Sequence, residues 1–344
     1  MFEPYIIAEI GVNYYDISTN LGISPMDAAK LMIRKAHDAG ASAVKFQSYK
    51  ADKIASVDSP SYWDLSKEST TNQYELFKKY DKFGEDEYIE LANYCKSIGV
   101  DFMSTPFDLE AVDYLDPLVE MFKISSSDIT NYQLLRKVAQ KDKKVLLSTG
   151  ASSMCEIRSA VEVLESAGAT DIVLMHCVLN YPTTNSNANV AMINDLKSFN
   201  FPVGYSDHTI PNENMDALTI AYILGAEYIE KHFTLDKTIE GNDHYHSMDV
   251  DDLNNFSTRI QTIKCLLGTD KKESLPSELS SRKNARRSIV ARNHIKAGQI
   301  ISDSDLVCKR PAIGGIPANN IDDVIGTVAK VDIKKDDILQ PYMI

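Results

Sequence analysis

Short apolar runs of β-strand type alternate with segments of helical period along most of this chain. The stretch from Val203 to His232 shows the pattern most clearly, since V-G-Y-S-D-H-T is followed by an apolar helical run and then by A-E-Y-I-E-K-H-F-T. The predicted apolar face of that helix is formed by Leu218, Ile220, Ala221 and Leu224. About eight such strand–helix pairs over about 270 residues predict an α/β fold of the (β/α)8 TIM-barrel type. A doubly wound open sheet is the alternative, but it usually has fewer strands, and no G-x-G-x-x-G motif follows the first one.

The acidic composition limits the classes of partner. The chain has 344 residues and a formal net charge of -13, so as a whole it repels nucleic acid and anionic membranes. Basic groups that bind an anionic substrate must therefore be local. We find no apolar run of membrane-spanning length and no secretory signal at the N-terminus. The five scattered cysteines are typical of free thiols in a reducing compartment, and we expect a cytoplasmic protein.

The sequence predicts three regions. Residues 1–270 form the barrel, residues 271–284 are a charged, serine-rich linker, and residues 285–344 contain short β-like runs separated by turns. Within the barrel, residues 50–84 form a long polar segment, and loops of that length are usually functional or mobile. About 60 residues are few for an independent hydrophobic core. We therefore expect the C-terminal region to dock on its own barrel or on a neighbouring subunit.

Polar residues occur at the ends of most of the predicted strands. The carboxyl ends of TIM-barrel strands meet on one face, where catalytic residues lie, and an ionisable group in a strand buried on both faces is costly unless it is paired or functional. So large a set indicates an active site for an anionic substrate. The set comprises Glu9, Lys45, Gln47, Ser104, Thr105, Lys123, Ser126, Asp128, Ser148, Thr149, His176, Tyr181, Asp207, His208, Glu230, Lys231 and His232.

Each cationic or hydroxyl group in this set also has a structural interpretation. Lys45 and Lys123 either bind a carboxylate or phosphate, or form salt bridges to Glu9 or Asp128 that only stabilise the fold. The hydroxyl groups that precede helices, such as those of residues 125–127 and 148–149, either bind phosphate or cap the helix. The cap of the helix after residue 130 is either Asp128 or Asn131.

Histidines at two neighbouring strand ends predict a metal site. His208 and His232 occupy matching positions, each beside an acidic residue, and two imidazoles can hold one divalent ion. The alternative is two unrelated histidines. The segment G-N-D-H-Y-H-S-M-D, residues 241–249, is a second metal site, a substrate loop or an exposed polar loop, and we assign His246 to an exposed loop. Near the C-terminus, R-P-A-I-G-G-I-P forms a rigid turn that carries Arg310.

Taken in chain order, the motifs of this sequence resemble those of the sialic acid synthase family, which includes N-acetylneuraminate, legionaminic acid and pseudaminic acid synthases. The resemblance covers the whole chain, with an antifreeze-like (SAF) domain at about residues 285–344. The motifs are I-I-A-E-I-G-V-N, K-F-Q, S-T-P-F-D, K-I-S-S-S-D-I-T-N, S-T-G, H-C-V-L-N-Y-P-T, G-Y-S-D-H-T, E-K-H-F-T and K-R-P-A-I-G-G-I-P.

The resemblance implies condensation of phosphoenolpyruvate with an N-acylated six-carbon aldose, which gives a nine-carbon 2-keto acid and phosphate. It implies that His208 and His232 bind a catalytic Mn²⁺ or Mg²⁺. It also implies that Arg310 reaches the barrel of a partner subunit in a domain-swapped homodimer. The positions that match the surroundings of phosphoenolpyruvate are Lys45, Thr105, Lys123, Ser126 and Ser148. Those near the sugar and the metal centre are Glu9, Gln47, Tyr181 and Asp243. Within these sets and their neighbours we expect the catalytic groups to be Glu9, Asp128, Lys45 and Lys123.

Two departures from the family pattern concern the acceptor sugar. G-N-D-H-Y-H-S-M-D replaces the more usual G-P-D-H, and R-P-A-I-G-G-I-P replaces R-P-G-x-G-I. Because both segments flank the implied sugar site, the acceptor is either N-acetylmannosamine or a 2,4-diacetamido-6-deoxy aldose. The alternative functions are a 3-deoxy-sugar-acid synthase that uses a phosphorylated aldose, and a sugar-binding homologue that has lost turnover.

Overall fold

The structure, a computed structural model, describes residues 2–241 and 243–344. The chain divides into a first unit of residues 1–268 and a second unit of residues 269–344. Each unit has a hydrophobic core of its own, so each is described separately.

Eight parallel strands form the centre of the first unit, as the TIM-barrel prediction requires. They are β1 (Tyr5–Gly11), β2 (Ala43–Ser48), β3 (Asp101–Pro106), β4 (Met121–Ile124), β5 (Lys144–Ser148), β6 (Ile172–His176), β7 (Val203–Asp207) and β8 (Tyr228–His232). Their spatial order is β3-β2-β1-β8-β7-β6-β5-β4, and β3 lies against β4 where the barrel closes. All of their carboxyl ends therefore lie on the same face.

Helices surround the strands and bury aliphatic faces against them. They are α1 (Tyr14–Leu21), α2 (Pro25–Asp38), α3 (Ala51–Ile54), α4 (Gln73–Lys79), α5 (Glu85–Ile98), α6 (Leu109–Leu115), α7 (Tyr132–Ala139), α8 (Met154–Ser166), α9 (Ile193–Leu196), α10 (Asp216–Ile223) and α11 (Val250–Leu267). Their starts follow local chemistry. Ser24 Oγ accepts a hydrogen bond from Asp27 N at 3.1 Å and Pro25 opens α2, while Asp249 caps α11.

An apolar layer fills the barrel interior below the carboxyl ends of the strands. Its members are Ile7, Ala43, Met103, Met121, Leu146, Val173 and Met175. Gly204 is required beside this layer, because a Cβ there would lie 2.7 Å from the backbone oxygen of Tyr228 and 2.2 Å from Met175 Sδ. On β1 to β5, the next inward positions, two residues further along each strand, lie above this layer and are polar.

The predicted apolar face of α10 was partly wrong. Ile220 is 47% exposed, whereas Leu218, Ala221 and Tyr222 are buried. Residues at positions i, i+3 and i+4 share a helix face, and Ile220 at i+2 points away from it. The apolar composition of this helix alone does not distinguish its two sides.

Two segments interpreted as irregular contain helices. Residues 50–84 include α3 and α4, and the linker region 271–284 includes most of α12 (Leu279–Ala285). The second unit continues with an antiparallel pair, β9 (Ser288–Ala291) and β10 (Leu306–Lys309), and with α13 (Ile321–Val324). Its core includes Ile289, Ile295, Ile301, Leu306, Val324, Ile333 and Leu339. In the described residues of both units, we find no helix of the length and apolarity that a membrane crossing requires.

Candidate active site

The alternation of strand side chains separates the polar strand-end residues into two groups. Side chains two residues beyond the apolar interior layer point into the barrel, and those between them point to the helices. The inward group comprises Glu9, Lys45, Gln47, Thr105, Lys123, Ser148, Ser206, Glu230 and His232. A single interior site therefore receives a side chain from most of the strands.

Two lysines and two glutamates form a buried ion-pair network in this interior. Lys45 pairs with Glu9 and lies 3.9 Å, Nζ to Oε2, from Glu230. Lys123 Nζ lies 3.3 Å from Glu230 Oε1. None of the four residues is more than 4% exposed. The unit charges cancel when both glutamates are ionised, which is how so many charges can be buried together.

Neutral hydrogen bonds orient the network. Gln47 Nε2 donates to Glu9 Oε1 at 2.9 Å, and Ser206 Oγ donates to Glu230 Oε1 at 2.7 Å. Lys45 Nζ also donates to Thr105 Oγ1 at 3.1 Å. These contacts fix the orientation of each charged group before any substrate arrives.

The two glutamates differ in proton affinity. Burial raises the pKa of Glu9 to about 7; the ion pair with Lys45 opposes the rise, and the negative charge of Glu230 adds to it. Burial acts on Glu230 in the same direction, but Lys123 and Lys45 together outweigh it and hold the pKa of Glu230 at about 2. Near neutral pH, Glu9 can therefore exchange a proton while Glu230 remains a fixed negative charge.

The hydroxyl groups of Ser126 and Ser148 line a small space near Lys123, which a side chain at position 150 would fill. Ser148 Oγ is buried and has no hydrogen-bond partner among the described residues. A Cβ at Gly150 would lie 2.8 Å from Cys177 Sγ and 3.0 Å from Ser126 Oγ. Glycine thus keeps this space open, and its hydroxyl groups and nearby lysine suit the oxygens of a phosphate.

Several members of the predicted strand-end set belong to the outward group and are structural, among them Lys231, Asp207 and His176. Lys231 Nζ donates to Asp207 Oδ2 at 2.6 Å, and both side chains are buried. Burial opposes ionisation of Asp207, but the charge of Lys231 outweighs it and lowers the pKa of that carboxyl. His176 Nε2 lies 3.0 Å from Ala188 O. These groups satisfy one another between strands and helices and do not reach the barrel interior.

A cavity of about 410 Å³ lies at the carboxyl ends of the strands. Its wall is rich in aromatic residues, among them Tyr62 and Trp63 from the segment 50–84. Three aspartates, Asp16, Asp128 and Asp243, also line it. No lysine or arginine is among the described residues of its wall. The cavity is therefore suited to an uncharged polar molecule with apolar substituents.

The structure shows whether Asp128 or Asn131 caps α7. Asn131 Oδ1 accepts a hydrogen bond from Leu134 N at 3.3 Å and caps α7. Asn131 Nδ2 donates to Asp128 Oδ1 at 3.0 Å, so the Asp128 carboxylate lines the cavity instead of capping the helix. Burial raises the pKa of Asp128 above its usual value.

His208 and His232 lie together at the edge of this cavity. Their ring centroids are 5.7 Å apart, and the ring of Tyr181 lies 4.2 Å from that of His208. His208 Nδ1 lies 2.7 Å from the carbonyl oxygen of Val178, which accepts its proton and leaves Nε2 as the free donor atom. Burial lowers the pKa of His208 to about 4 and that of His232 well below its usual value. Both imidazoles are therefore neutral, the form that binds a metal ion.

The assignment of His246 to an exposed loop was wrong. His246 is fully buried, and neither of its ring nitrogens has a hydrogen-bond partner among the described residues. Residues 243–249 pack over the barrel end, so their polar composition did not indicate exposure. Donor atoms of His232, Asp243 and His246 lie within 4.8 Å of one another, which is compatible with a metal ion.

Arg310 is exposed and belongs to the second unit, which is described separately, so its role stays a prediction. Glu230 belonged to the predicted strand-end set but was given no catalytic or binding role, although it precedes His232 by two positions and so shares its strand face. Tyr62 and Trp63 were missed because no local pattern shows that the segment 50–84 reaches the site.

Comparison with known proteins finds relatives over nearly the whole chain. Residues 32–272 match the NeuB family, and residues 286–344 match the SAF domain. The N,N'-diacetyllegionaminic acid synthase of Campylobacter jejuni is 37% identical over 346 residues, which cover 99% of this chain and 100% of that protein. The enzyme of the same name from Legionella pneumophila is 36% identical over 94% of this chain and 89% of its own length.

A solved structure is similar as well. The N-acetylneuraminic acid (sialic acid) synthetase of Leptospira borgpetersenii, crystallised in complex with citrate, has a TM-score of 0.69 and 33% sequence identity to this chain, covering 81% of this chain and 90% of its own. The resemblance expected from the sequence motifs is thus confirmed. The chain belongs to the NeuB family and has a SAF domain at its C-terminus.

Proposed function

We propose that this protein is a nonulosonic acid synthase that condenses phosphoenolpyruvate with an uncharged N-acyl aldose. The observation that carries the proposal is the placement of two buried lysines and open hydroxyl groups in the barrel interior, beside an aromatic and acidic cavity without basic residues in its described wall. The interior suits a small, highly charged donor, and the cavity suits a neutral sugar. The relatives named legionaminic acid synthases support the same reaction class.

The donor binds among the inward residues. Lys45 and Lys123 offset its negative charge, and Thr105, Ser126 and Ser148 donate hydrogen bonds to its oxygens. Because the overall charge of the chain is -13, these two ammonium groups are local cationic groups that an anion can contact, and Glu9 and Glu230 balance them before it binds.

The reaction joins C3 of phosphoenolpyruvate to the aldehyde carbon of the open-chain sugar, and the aldehyde oxygen takes up a proton. Water adds to C2, and the bond between C2 and the phosphate oxygen then breaks, which gives the 2-keto acid and inorganic phosphate. Glu9, whose pKa is about 7, accepts a proton from the attacking water, and Asp128 stabilises the positive charge that develops at C2.

The histidine cluster fits a divalent ion such as Mn²⁺ or Mg²⁺. The rings of His208 and His232 and the Asp243 carboxylate provide the donor atoms. The bond from Nδ1 to the Val178 carbonyl leaves Nε2 of His208 to bind an ion, and Nδ1 of His232 lies 3.5 Å from Asp243 Oδ2. When bound, such an ion supplies Lewis-acid polarisation of the sugar's aldehyde. Tyr181 packs against both rings and fixes their positions.

The cavity wall favours a 2,4-diacetamido-6-deoxy aldose over N-acetylmannosamine as the acceptor. Such a sugar has three methyl groups, which the aromatic side chains of the wall can cover. Asp16, Gln47 and Asp243 are placed in that wall to hydrogen-bond hydroxyl or amide groups. A phosphorylated aldose, the substrate of the alternative function, would face carboxylates without a basic partner in the described wall.

We also propose that the protein acts as a homodimer in which Arg310 of one subunit completes the sugar site of the other. The exposed guanidinium and the small size of the second unit are compatible with such an exchange.

Phosphate release from phosphoenolpyruvate in the presence of Mn²⁺ tests the function. Three sugars are compared with and without chelator: N-acetylmannosamine, the 2,4-diacetamido-6-deoxy aldose and arabinose 5-phosphate. We expect chelator-sensitive release, fastest with the diacetamido sugar. Release only with arabinose 5-phosphate would identify the protein as a 3-deoxy-sugar-acid synthase. Binding of metal and sugar without release would identify a sugar-binding homologue.

A further inference from the structure

Two histidines in the segment 241–249 are equally buried but differ in their bonding. His244 Nδ1 lies 2.7 Å from Thr234 Oγ1, and its Nε2 lies 3.3 Å from Asp16 Oδ2. Both ring nitrogens of His246 are buried without a hydrogen-bond partner among the described residues. Leaving a buried polar group unsatisfied destabilises a folded protein, so such a group needs a reason.

The surroundings of His246 provide one. Its ring centroid is 5.1 Å from that of His232 and 5.7 Å from that of Tyr181. A donor atom of His246 lies within 4.8 Å of donor atoms of both His232 and Asp243. His232 also has an unsatisfied nitrogen, Nδ1, at 3.5 Å from Asp243 Oδ2. Two unsatisfied imidazoles and a carboxylate thus converge at the edge of the cavity.

A purely apolar role explains this arrangement less well. An aromatic contact with Tyr181 and Tyr245 requires only a ring, and phenylalanine would supply it without two unsatisfied nitrogens. An imidazole whose nitrogens have no hydrogen-bond partner among the described residues, placed beside a carboxylate, is typical of a metal ligand.

We propose that His246 is an additional ligand of the divalent ion, so that the centre contains three imidazoles, from His208, His232 and His246, together with the Asp243 carboxylate. This inference deepens the proposed function, since it concerns the ion that the His208–His232 pair is proposed to hold. A centre with three imidazoles binds the later divalent metals, such as Co²⁺ and Zn²⁺, more strongly relative to Mn²⁺ and Mg²⁺ than a centre with two.

The test measures metal binding directly and without either substrate. Chelator-treated full-length protein is titrated with Co²⁺ and with Mn²⁺ by calorimetry, and the visible absorption of the Co²⁺ form is recorded. His246→Gln keeps a polar side chain of similar length but lacks the imidazole. We expect it to weaken Co²⁺ binding at least about tenfold, to weaken Mn²⁺ binding less, and to change the Co²⁺ spectrum.

His244→Gln is the matched control, because His244 lies two residues away, is equally buried and has both nitrogens engaged. It should leave Co²⁺ affinity unchanged, and circular dichroism establishes that both variants are folded. Identical Co²⁺ binding by wild type and folded His246→Gln would overturn the proposal.

The metal-binding result for His246→Gln and the proposed function can be confirmed or refuted independently. Metal binding that depends on His246 in a protein that releases no phosphate would leave the inference standing and remove the function. Phosphate release by the wild type, with unaltered metal binding in His246→Gln, would do the reverse.

Discussion

At the scale of single residues, the site is built from charges that neutralise one another before substrate binds. Lys45 is shared by Glu9 and Glu230, and Lys123 pairs with Glu230. Lys123 and Lys45 stabilise the ionised form of Glu230. For Glu9 the effect of burial is not fully offset, so its pKa is raised. One carboxyl is thereby prepared for proton transfer and the other for electrostatic stabilisation.

The raised pKa of Glu9 predicts a pH-dependent stability. A carboxyl whose pKa is higher in the folded than in the unfolded state favours folding below its unfolded pKa, and that contribution is lost as the pH rises through the folded value. For Glu9 the two values are 4.5 and about 7. Relative to Glu9→Gln, the wild type should therefore lose about 3 kcal/mol of unfolding free energy between pH values of about 4.5 and 7.

Urea unfolding of both proteins at several pH values across this range measures the difference. Effects of the substitution that do not depend on pH cancel when the change with pH is compared. Parallel pH profiles for wild type and Glu9→Gln would contradict the assignment of a raised pKa to this residue.

At the scale of elements, rigid strands supply the charged groups and the long segment after β2 supplies the aromatic wall. Trp63 Nε1 donates to the carbonyl oxygens of Glu68 at 3.2 Å and Thr70 at 3.0 Å, which ties the segment to itself. Tyr62 packs edge-on against Trp63 and lines the cavity while remaining 65% exposed. The segment is thus a wall whose outer part can contact a sugar.

Replacement of Tyr62 should affect the acceptor and not the donor. Tyr62→Ala removes an aromatic contact, and we expect the KM for the sugar to rise about tenfold with little change in the KM for phosphoenolpyruvate. Val57→Ala is the control, because Val57 belongs to the same segment, is 66% exposed and lies outside the described cavity wall. Steady-state kinetics with each substrate varied in turn make the comparison, and equal sugar KM values for the two variants would exclude a role for Tyr62.

The elements were more predictable from the sequence than the contacts between them. Each barrel strand combines an apolar run with polar residues at its end, so the strands, their inward residues and the histidine pair follow from a period of two. The position of His246 did not follow from this period, because its burial depends on how a polar loop packs over the barrel. Ile220 was misplaced because α10 is apolar on more than its buried side.

At the scale of the whole molecule, the question is how the second unit contributes. Its small core consists of aliphatic residues and is separate from that of the barrel. Arg310 lies on the exposed surface of this unit. The proposed exchange of Arg310 between subunits makes each site a product of two chains.

Mixed dimers test this exchange. Lys123→Met removes a barrel group, and Arg310→Ala removes the arginine; each homodimer should have low activity at low sugar concentration. Heterodimers purified through two different tags would contain one intact site and regain about half of the wild-type activity. Heterodimers with no more activity than the homodimers would show that Arg310 does not act across the subunits.

The alternation of inward and outward residues also constrains how such a protein can vary. A deletion of one residue between Tyr228 and Glu230 would carry Lys231 into the barrel, while Glu230 and His232 would turn toward the helices. Such a deletion would displace Glu230, Lys231 and His232 together, whereas a point substitution changes one side chain. Changes of length are harmless only where no register exists, as in the segment 50–84. New sugar preferences in this framework should therefore arise by insertion and deletion in that segment, with the strands retained residue for residue.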